Sequence, residues 1–312
     1  MAEKVKAKIT LNRNQKKMIF YVLMMAYPVI QFCIFYIGVN LNSILLAFKE
    51  YEYGLTQDSI TGYHWAGFSQ FEKIFNMFSM EEVFKYAFIN SFVAYVITTV
   101  ASISLTIFFA YYVFKKKLFS RFFKVMLFLP SVISSLVMAI LFTSLAESII
   151  PGILNELFGV EVNALLTDPN SRFGMIIFYS IWVSFGTNIL LYNGSMTAID
   201  VEIIEAAHMD GAEGFKEFIY IIFPLIFPTF TTLFVTGLAG VFTNQYNLHA
   251  IYGEMAPRNI YTVGYYLFVR VKVGTYADYT YLSAFGLLLT AVIMPVVLVV
   301  RWLMVKFGPT AN

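Results

Sequence analysis

The chain has 312 residues, of which 59% are hydrophobic and only 13% are charged, and its mean hydropathy is +0.71. A typical soluble domain is about 45–50% apolar and about 25% charged, so this composition cannot cover a water-facing globule. It excludes an ordinary cytosolic enzyme, a disordered regulator and a nucleic-acid-binding protein. The formal net charge of +2 indicates no acidic partner. The sequence therefore predicts an integral membrane protein.

Six stretches are long and apolar enough to be transmembrane helices, since a helix needs about 20 mostly apolar residues to cross a bilayer. None of the six contains an acidic residue, and backbone groups in lipid must pair within a helix. The predicted fold class is all-α, a polytopic membrane bundle of about six helices. The predicted spans are 18–38, 86–114, 122–145, 173–193, 218–241 and 281–304.

The basic residues predict the orientation of the chain in the membrane. Most lysines and arginines lie in the tail before the first span or between residues 115 and 124, and such residues stay on the cytoplasmic side. Both termini are therefore expected in the cytoplasm. The first apolar stretch is too long for a signal peptide and lacks a small-x-small cleavage site, so we expect it to be retained.

The organisation expected along the chain has four parts. A basic cytoplasmic tail covers 1–17, and the first helix with a long outer loop covers 18–85. A core membrane domain covers 86–304 and includes the cytoplasmic loop 195–217, and a second tail covers 305–312.

The outer loops are expected at about 39–85, 146–172 and 242–280, and we expect them to carry short helices. Apolar residues between Phe71 and Phe84 have near-helical spacing, which predicts a helix there. That helix is either interfacial or a surface on which a partner docks.

The cytoplasmic loop after the fourth span is rich in acidic residues and alanine, on a side otherwise dominated by basic residues. Asp200 is a plausible N-cap, and Glu202 and Glu205 lie one turn apart near the positive end of the helix dipole. Gly211 sits where a helix would end in a left-handed residue. The pattern predicts a short capped helix, which is a handle for a soluble partner. A second helical start is expected near Glu213, leading into a span broken by Pro224 and Pro228.

Several kinds of site are absent from the sequence. Cys33 is the only cysteine, and His64, His208 and His249 are scattered without metal-ligand spacing, so we expect no metal site. The chain has no Gly-x-x-x-x-Gly-Lys-Ser/Thr loop for nucleotide phosphates. No set of acid, base and nucleophile lies at membrane depth, so no catalytic residues are expected.

The loop then shows a resemblance to a known family. The segment EAAHMDGA at 205–212, followed by IIFP at 221–224, resembles the EAA loop of inner-membrane permeases of binding-protein-dependent ABC importers. The family pattern ends Ile-x-Leu-Pro, so Phe223 is a departure at an apolar position. The Asp-Gly-Ala form is similar to the carbohydrate-uptake branch, and the length near 300 is similar to the first permease of maltose-type pairs. The Thr-x-Gly-Gly-Pro turn of that branch is represented only by GEMAP at 253–257.

The resemblance implies a type I ABC importer permease fold in a bacterial-type cytoplasmic membrane. It implies that the chain forms the pathway for a sugar, an oligosaccharide, without being an enzyme itself. The implied partners are a second homologous permease, a dimeric cytoplasmic ATPase that uses ATP and Mg²⁺, and an extracytoplasmic solute-binding protein. No cofactor is expected on this chain.

The resemblance also implies two sets of site residues. The ATPase-coupling residues are Glu205, Ala206, Ala207, Asp210, Gly211 and Pro224. Counting from the loop places the sugar-pocket positions of the family at Ser180, Ser184, Gly237, Val241 and Asn244. Asn188 lies four residues after Ser184, on the same face of the fourth span. Helix packing is the competing explanation for Ser and Gly in a span.

Other transport functions stay open at this point. Proton coupling in a secondary transporter normally uses a buried carboxylate, and the spans contain none. Sodium coupling through backbone carbonyls is not excluded by that argument. An ABC permease for a glycerol-phosphate compound is a further alternative, because such permeases are similar.

Overall fold

The computed structural model describes residues 12–54, 62–80, 82–159 and 161–309. It contains six helical segments that are long and apolar enough to cross a membrane, which confirms the predicted number and the all-α class. The segments are Arg13–Leu46, Glu82–Phe114, Ser135–Phe158, Arg172–Thr197, Phe215–Ala239 and Tyr276–Phe307.

Individual helices are labelled in chain order. They are α1 (Arg13–Gln31), α2 (Val39–Leu46), α3 (Ser69–Met80), α4 (Glu82–Phe114), α5 (Ser120–Val132), α6 (Ser135–Ser144), α7 (Ile150–Phe158), α8 (Arg172–Thr197), α9 (Val201–Met209), α10 (Phe215–Glu217), α11 (Phe223–Ala239), α12 (Leu248–Tyr252), α13 (Val263–Val273) and α14 (Tyr276–Phe307). Wider π-helical turns occupy Phe32–Gly38, Leu145–Ile149 and Phe218–Ile222, and a 3₁₀ turn occupies Arg258–Ile260. A short antiparallel hairpin pairs β1 (Lys49–Glu52) with β2 (Gly62–Trp65).

The centre of the bundle is formed by α4 packed along α8, with α5 and α11 against them. Gly186 of α8 makes the approach to α5 possible, because a Cβ at this position would lie 2.5 Å from the carbonyl oxygen of Leu127. Apolar clusters fill the bundle at different heights along α4. One cluster includes Phe142 and Tyr179, and another, near the α9 end, includes Tyr192 and Ile226.

A third cluster joins elements that are far apart in sequence, and we call it the outer cluster. It contains Ala47 after α2, Ile74 of α3 and Phe84 of α4, packed against Leu282 and Phe285 of α14. The helix predicted between Phe71 and Phe84 is therefore present as α3 and the start of α4. Four apolar side chains of α3 pack on the chain itself, namely Phe71, Ile74, Met77 and Phe78, whereas Phe75 is exposed.

The third predicted span is wrong in its bounds. A single helix was expected over 122–145, but Ile133 has an extended backbone with ψ at 143° and separates α5 from α6. Pro130 removes a backbone donor close to this break, and Ser134 stands at the N-cap position of α6, where serine is favoured. The membrane-length segment is therefore Ser135–Phe158.

The second outer stretch is correspondingly shorter than the expected 146–172, because the helix continues to Phe158. Glu147 was assigned to this loop but lies inside the helix. Its two carboxylate oxygens accept from the backbone N–H of Leu166 at 2.8 Å and from the hydroxyl of Thr167 at 3.0 Å. These two hydrogen bonds stabilise the Glu147 carboxylate within the helix. The third outer stretch contains short helices, as expected, in α12 and α13.

Candidate functional site

The acidic loop predicted to carry a short helix does so, as α9. Asp200 occupies the N-cap position with an extended backbone, but its side chain makes no capping hydrogen bond. Glu202 lies in the first turn, where the helix dipole favours a negative charge. Asp200 is therefore the N-cap residue, as predicted, but the hydrogen bond that an N-cap side chain normally accepts is not formed.

The end of α9 is fixed by Gly211. Its φ of +78° is in the left-handed region, where glycine is favoured. This geometry lets the N–H of Gly211 donate to His208 O at 3.0 Å and the N–H of Ala212 donate to Ala207 O at 2.9 Å. The pair of bonds forms a Schellman motif, which satisfies the last carbonyls of the helix. The sequence therefore located this terminus correctly.

One face of α9 is packed against the bundle and the other is open. Ala207 is buried, and Ile204 packs on the cluster that contains Tyr192 and Ile226. Glu205 and Ala206 are exposed. We call the exposed side of α9, with Val201, Glu205, Ala206 and Met209, the open face. Met209 is 88% exposed, so the open face combines a carboxylate with uncovered apolar area, as docking surfaces do.

Pro224 is the second residue of α11 and lies two residues after the π-helical turn Phe218–Ile222, within the continuous helical segment Phe215–Ala239. A proline inside a helix removes a backbone donor and crowds the preceding turn, and a π-helical turn is one way in which a helix accommodates such a disruption. Pro228 lies inside α11 and does not end the helix. Of the two interruptions expected in this span, the structure shows only the one near Pro224, as the wider turn before it.

Sequence reasoning missed a buried carboxylate beside the loop. Glu217 has no exposed surface, and its carboxylate accepts from Lys115 Nζ at 2.8 and 3.1 Å. His208 Nε2 lies 3.3 Å from the same carboxylate, and the hydroxyl of Tyr111 lies 3.4 Å from it. Lys115 and Glu217 are 102 residues apart, so no local pattern indicates this contact.

A polar cavity of about 340 Å³ lies between α4, α8 and α11. Four predicted substrate residues line it together, namely Ser184, Asn188, Gly237 and Asn244. Ser180 is buried away from the cavity, and its hydroxyl donates to Tyr246 O at 3.2 Å. The other lining residues are Thr98, Thr99, Ser102, Ile103, Thr106, Tyr192, Leu233, Thr236 and Gly240.

Val241 does not line the cavity and is buried. The count from the loop that gave Val241 runs past the end of α11 at Ala239, where the chain turns. Asn244, beyond the turn, reaches the cavity through the loop. Its side-chain oxygen accepts from the N–H of Tyr246 at 2.8 Å, and its backbone carbonyl accepts from Thr262 Oγ1 at 3.3 Å. Burial raises the pKa of the Tyr246 phenol to about 12.

The contribution of α4 to the cavity was missed, although its signal is in the sequence. Thr98, Ser102 and Thr106 recur every four residues and so lie on one helix face. Among the described residues, the hydroxyls of Ser102, Thr106 and Tyr192 have no hydrogen-bond partner and are buried. Buried polar groups are normally paired. Three unpartnered hydroxyls on one cavity indicate a polar ligand or water as the missing partner.

The lining of the cavity carries no charged residue. In the described part of the chain, no three His, Cys, Asp or Glu side chains come close enough to hold a metal ion. The cavity therefore suits a neutral ligand with many hydroxyls, which its serine, threonine and asparagine side chains can bind by hydrogen bonds.

A bundle of membrane-length helices with a polar cavity between spans and a projecting loop helix has the architecture expected of a membrane transport component. Residues 102–311, about two thirds of the chain, match the family model of the binding-protein-dependent transport system inner membrane component. The chain belongs to this family, and it is a multi-pass protein of the cytoplasmic membrane.

Curated relatives and solved structures show the same class. The chain is 28% identical over 202 residues to the galactooligosaccharides transport system permease protein GanP of Bacillus subtilis (strain 168), covering 62% of this chain and 47% of GanP. It is 24% identical over 304 residues to the polygalacturonan/rhamnogalacturonan transport system permease protein YteP of the same organism, covering 92% and 88%. The chain thus spans about half the length of GanP.

Among solved structures, the chain is similar to one from a bacterial ABC transporter involved in the import of the acidic polysaccharide alginate. The TM-score is 0.73 at 20% identity, with 95% of this chain and 100% of that chain covered. A second structure of the alginate transporter, in complex with an alginate pentasaccharide-bound periplasmic protein, also has a TM-score of 0.73, at 18% identity. The fold expected from the sequence is therefore confirmed.

Proposed function

We propose that this chain is a permease subunit of an ATP-driven importer and forms part of the pathway for a sugar delivered by an extracytoplasmic binding protein. The observation that carries the proposal is the uncharged cavity with three unpartnered hydroxyls in a bundle of this family. The relatives named for galactooligosaccharides, polygalacturonan and alginate support a saccharide cargo. The lack of a basic residue on the cavity favours a sugar over a glycerol-phosphate compound.

Within this proposal, the cavity residues donate to and accept from sugar hydroxyls. Asn244 and Asn188 supply amides, Ser184 supplies a hydroxyl, and Gly237 leaves space for the ligand. Ser180 contributes indirectly, because its hydrogen bond to Tyr246 O holds the loop that carries Asn244. The hydroxyls of α4 complete the polar surface.

The proposed contact with the ATPase is the open face of α9. Glu205 would pair with a basic group of the ATPase, while Ala206 allows a close approach. Ala207, Asp210, Gly211 and Pro224 set the direction in which α9 leaves and rejoins the bundle. ATP and Mg²⁺ would be used by that partner, and this chain would bind neither.

The proposed orientation places both termini and α9 in the cytoplasm, because the loop after α4 is strongly basic. Single cysteines at Lys117 and Trp65, in a variant carrying Cys33→Ser, test it. A membrane-impermeant maleimide should label position 65 in intact cells and position 117 only in opened cells. The reverse labelling pattern would show that the orientation is wrong.

Affinity purification of the chain from its native membrane, under gentle detergent, tests the function. Recovery of a second six-span permease together with a cytoplasmic ATPase is the expected result. Recovery of the chain alone, or only as a homodimer, would contradict the importer and support an ion-driven secondary transporter.

A Thr106→Val substitution tests the cavity itself. Valine keeps the shape of the side chain and removes only a hydroxyl that has no partner in the described structure, so the thermal stability of the permease should not fall. The transport rate at saturating sugar-loaded binding protein should fall about three- to tenfold, because one hydrogen bond to the cargo is lost.

Thr290→Val is the matched control for this substitution. Thr290 is an exposed span residue of α14, and its hydroxyl donates to Gly286 O at 2.8 Å, away from the cavity. Its transport rate should equal that of the unsubstituted protein. Equal rates for both threonine variants would remove α4 from the proposed sugar path.

A further inference from the structure

We infer that Glu217 is a positioning residue that transmits the movement of α9 to the cavity-lining helix α4. The inference rests on the proposed function, since it assumes that α9 docks on an ATPase. It assigns a role to a carboxylate outside both sets of residues that the sequence indicated.

Three segments meet at Glu217. The carboxylate belongs to α10, Lys115 directly follows α4, and His208 is in the last turn of α9. Lys115 contacts both carboxylate oxygens, and His208 contacts one of them. The α9 helix is thus joined by a polar contact, through a single side chain, to the end of α4.

The burial of Glu217 makes this junction stiff. A carboxylate without solvent exposure is stable only while its partners stay in place, since breaking a buried pair leaves an uncompensated charge. The contacts of Lys115 and His208 with Glu217 are therefore harder to break than the contacts of an exposed ion pair. When α9 is displaced, it therefore either carries Glu217 and Lys115 with it or breaks the contact between His208 and Glu217.

A second contact binds α4 to the same turn. The hydroxyl of Tyr111 donates to Gly214 O at 2.9 Å, and Tyr111 lies one helical turn before Lys115. Gly214 has φ 59° and ψ −116°, a backbone conformation that favours glycine. Tyr111 of α4 therefore holds the turn at Gly214, and Lys115, the residue after α4, holds Glu217 of α10.

The path from this junction to the cavity is one uninterrupted helix. Thr106 lies nine residues before Lys115, which is about 13 Å along a helix axis at 1.5 Å per residue. Ser102 and Thr98 follow at one-turn intervals and also line the cavity. A shift or rotation of the Lys115 end is consequently transmitted to the cavity wall by helix rigidity.

The test compares Glu217→Gln, Lys115→Met and the conservative Lys115→Arg in the importer assembled from membranes. The readout is the ratio of ATPase activity with sugar-loaded binding protein to activity without it. The first two variants should assemble with the ATPase and lose about tenfold of this ratio, within the range of measured coupling between sites. Lys115→Arg should keep the ratio, because arginine preserves the ion pair.

The double variant Glu217→Gln with Lys115→Met should lose no more than either single variant, as expected for two groups that act through one contact. Glu213→Gln and Lys117→Met are the matched controls, because both side chains are exposed close to the junction. Their ratios should equal that of the unsubstituted importer.

The possible failures are distinguishable. If the unsubstituted chain recovers no ATPase, the proposed function is wrong. If the ATPase is recovered and all variants keep the full ratio, the inference about Glu217 is wrong. If Glu217→Gln does not accumulate in the membrane, the two Lys115 variants decide, since a lower yield alone leaves their ratio unchanged and a positioning role separates methionine from arginine.

Discussion

A Gly264→Ala substitution is expected to destabilise the permease strongly for the addition of a single methyl group. The added Cβ would lie 2.5 Å from the carbonyl carbon of Thr243 and 2.6 Å from that of Asn244. Both are backbone atoms, which cannot rotate away as the end of a side chain could, so α13 or the 243–244 loop has to shift. Overpacking of this kind costs about 1–3 kcal/mol or more.

The measurement is the thermal unfolding of the purified permease in detergent, with an expected decrease of about 5 °C or more. Transport should fall as well, because the loop that shifts carries Asn244. Gly174→Ala in α8 is the matched control, since a Cβ there meets no atom within 4 Å. Indistinguishable unfolding temperatures for the two alanine variants would mean that the contact at Gly264 is looser than described.

A Gly211→Val substitution is expected to abolish coupling to the ATPase while the protein still reaches the membrane. A Cβ at Gly211 has open space within 4 Å, so the obstacle is the backbone, whose φ of +78° is unfavourable for a β-branched residue. The left-handed conformation costs roughly 1–2 kcal/mol for an L-residue with a Cβ. Unwinding the last turn of α9 relieves this strain. The residues of the open face are then no longer held in the orientation that docking requires.

Gly211→Asn separates conformation from bulk, because asparagine tolerates the left-handed region. The ATPase activity stimulated by sugar-loaded binding protein should fall at least about tenfold in the valine variant and stay close to normal in the asparagine variant. Normal stimulation with valine would show that α9 does not couple the permease to an ATPase.

These two glycines also show what the sequence could predict. Gly211 directly follows the predicted helix, so its role as a helix terminus could be predicted from the sequence alone. The role of Gly264 depends on the backbone of Thr243 and Asn244, twenty residues away in a different element. Nothing in the local pattern indicates that contact.

The same distinction applies to the spans and the cavity. Hydropathy locates five of the six spans, because the bilayer imposes one requirement on all of them. It misplaces the third, because it does not detect a break such as Ile133, where only the backbone changes. The threonines and serine of α4 had a helical spacing that could have been recognised. Glu217 could not, because its partners come from α4 and α9 only after folding.

The outer cluster sets an order on the synthesis of this protein. Its members lie between Ala47 and Phe88 and between Phe242 and Leu289, so about 150 residues separate its two halves in sequence. The first half leaves the ribosome long before α14 exists to pack against it. Ile74 and its neighbours therefore stay uncovered on this side until α14 has been translated.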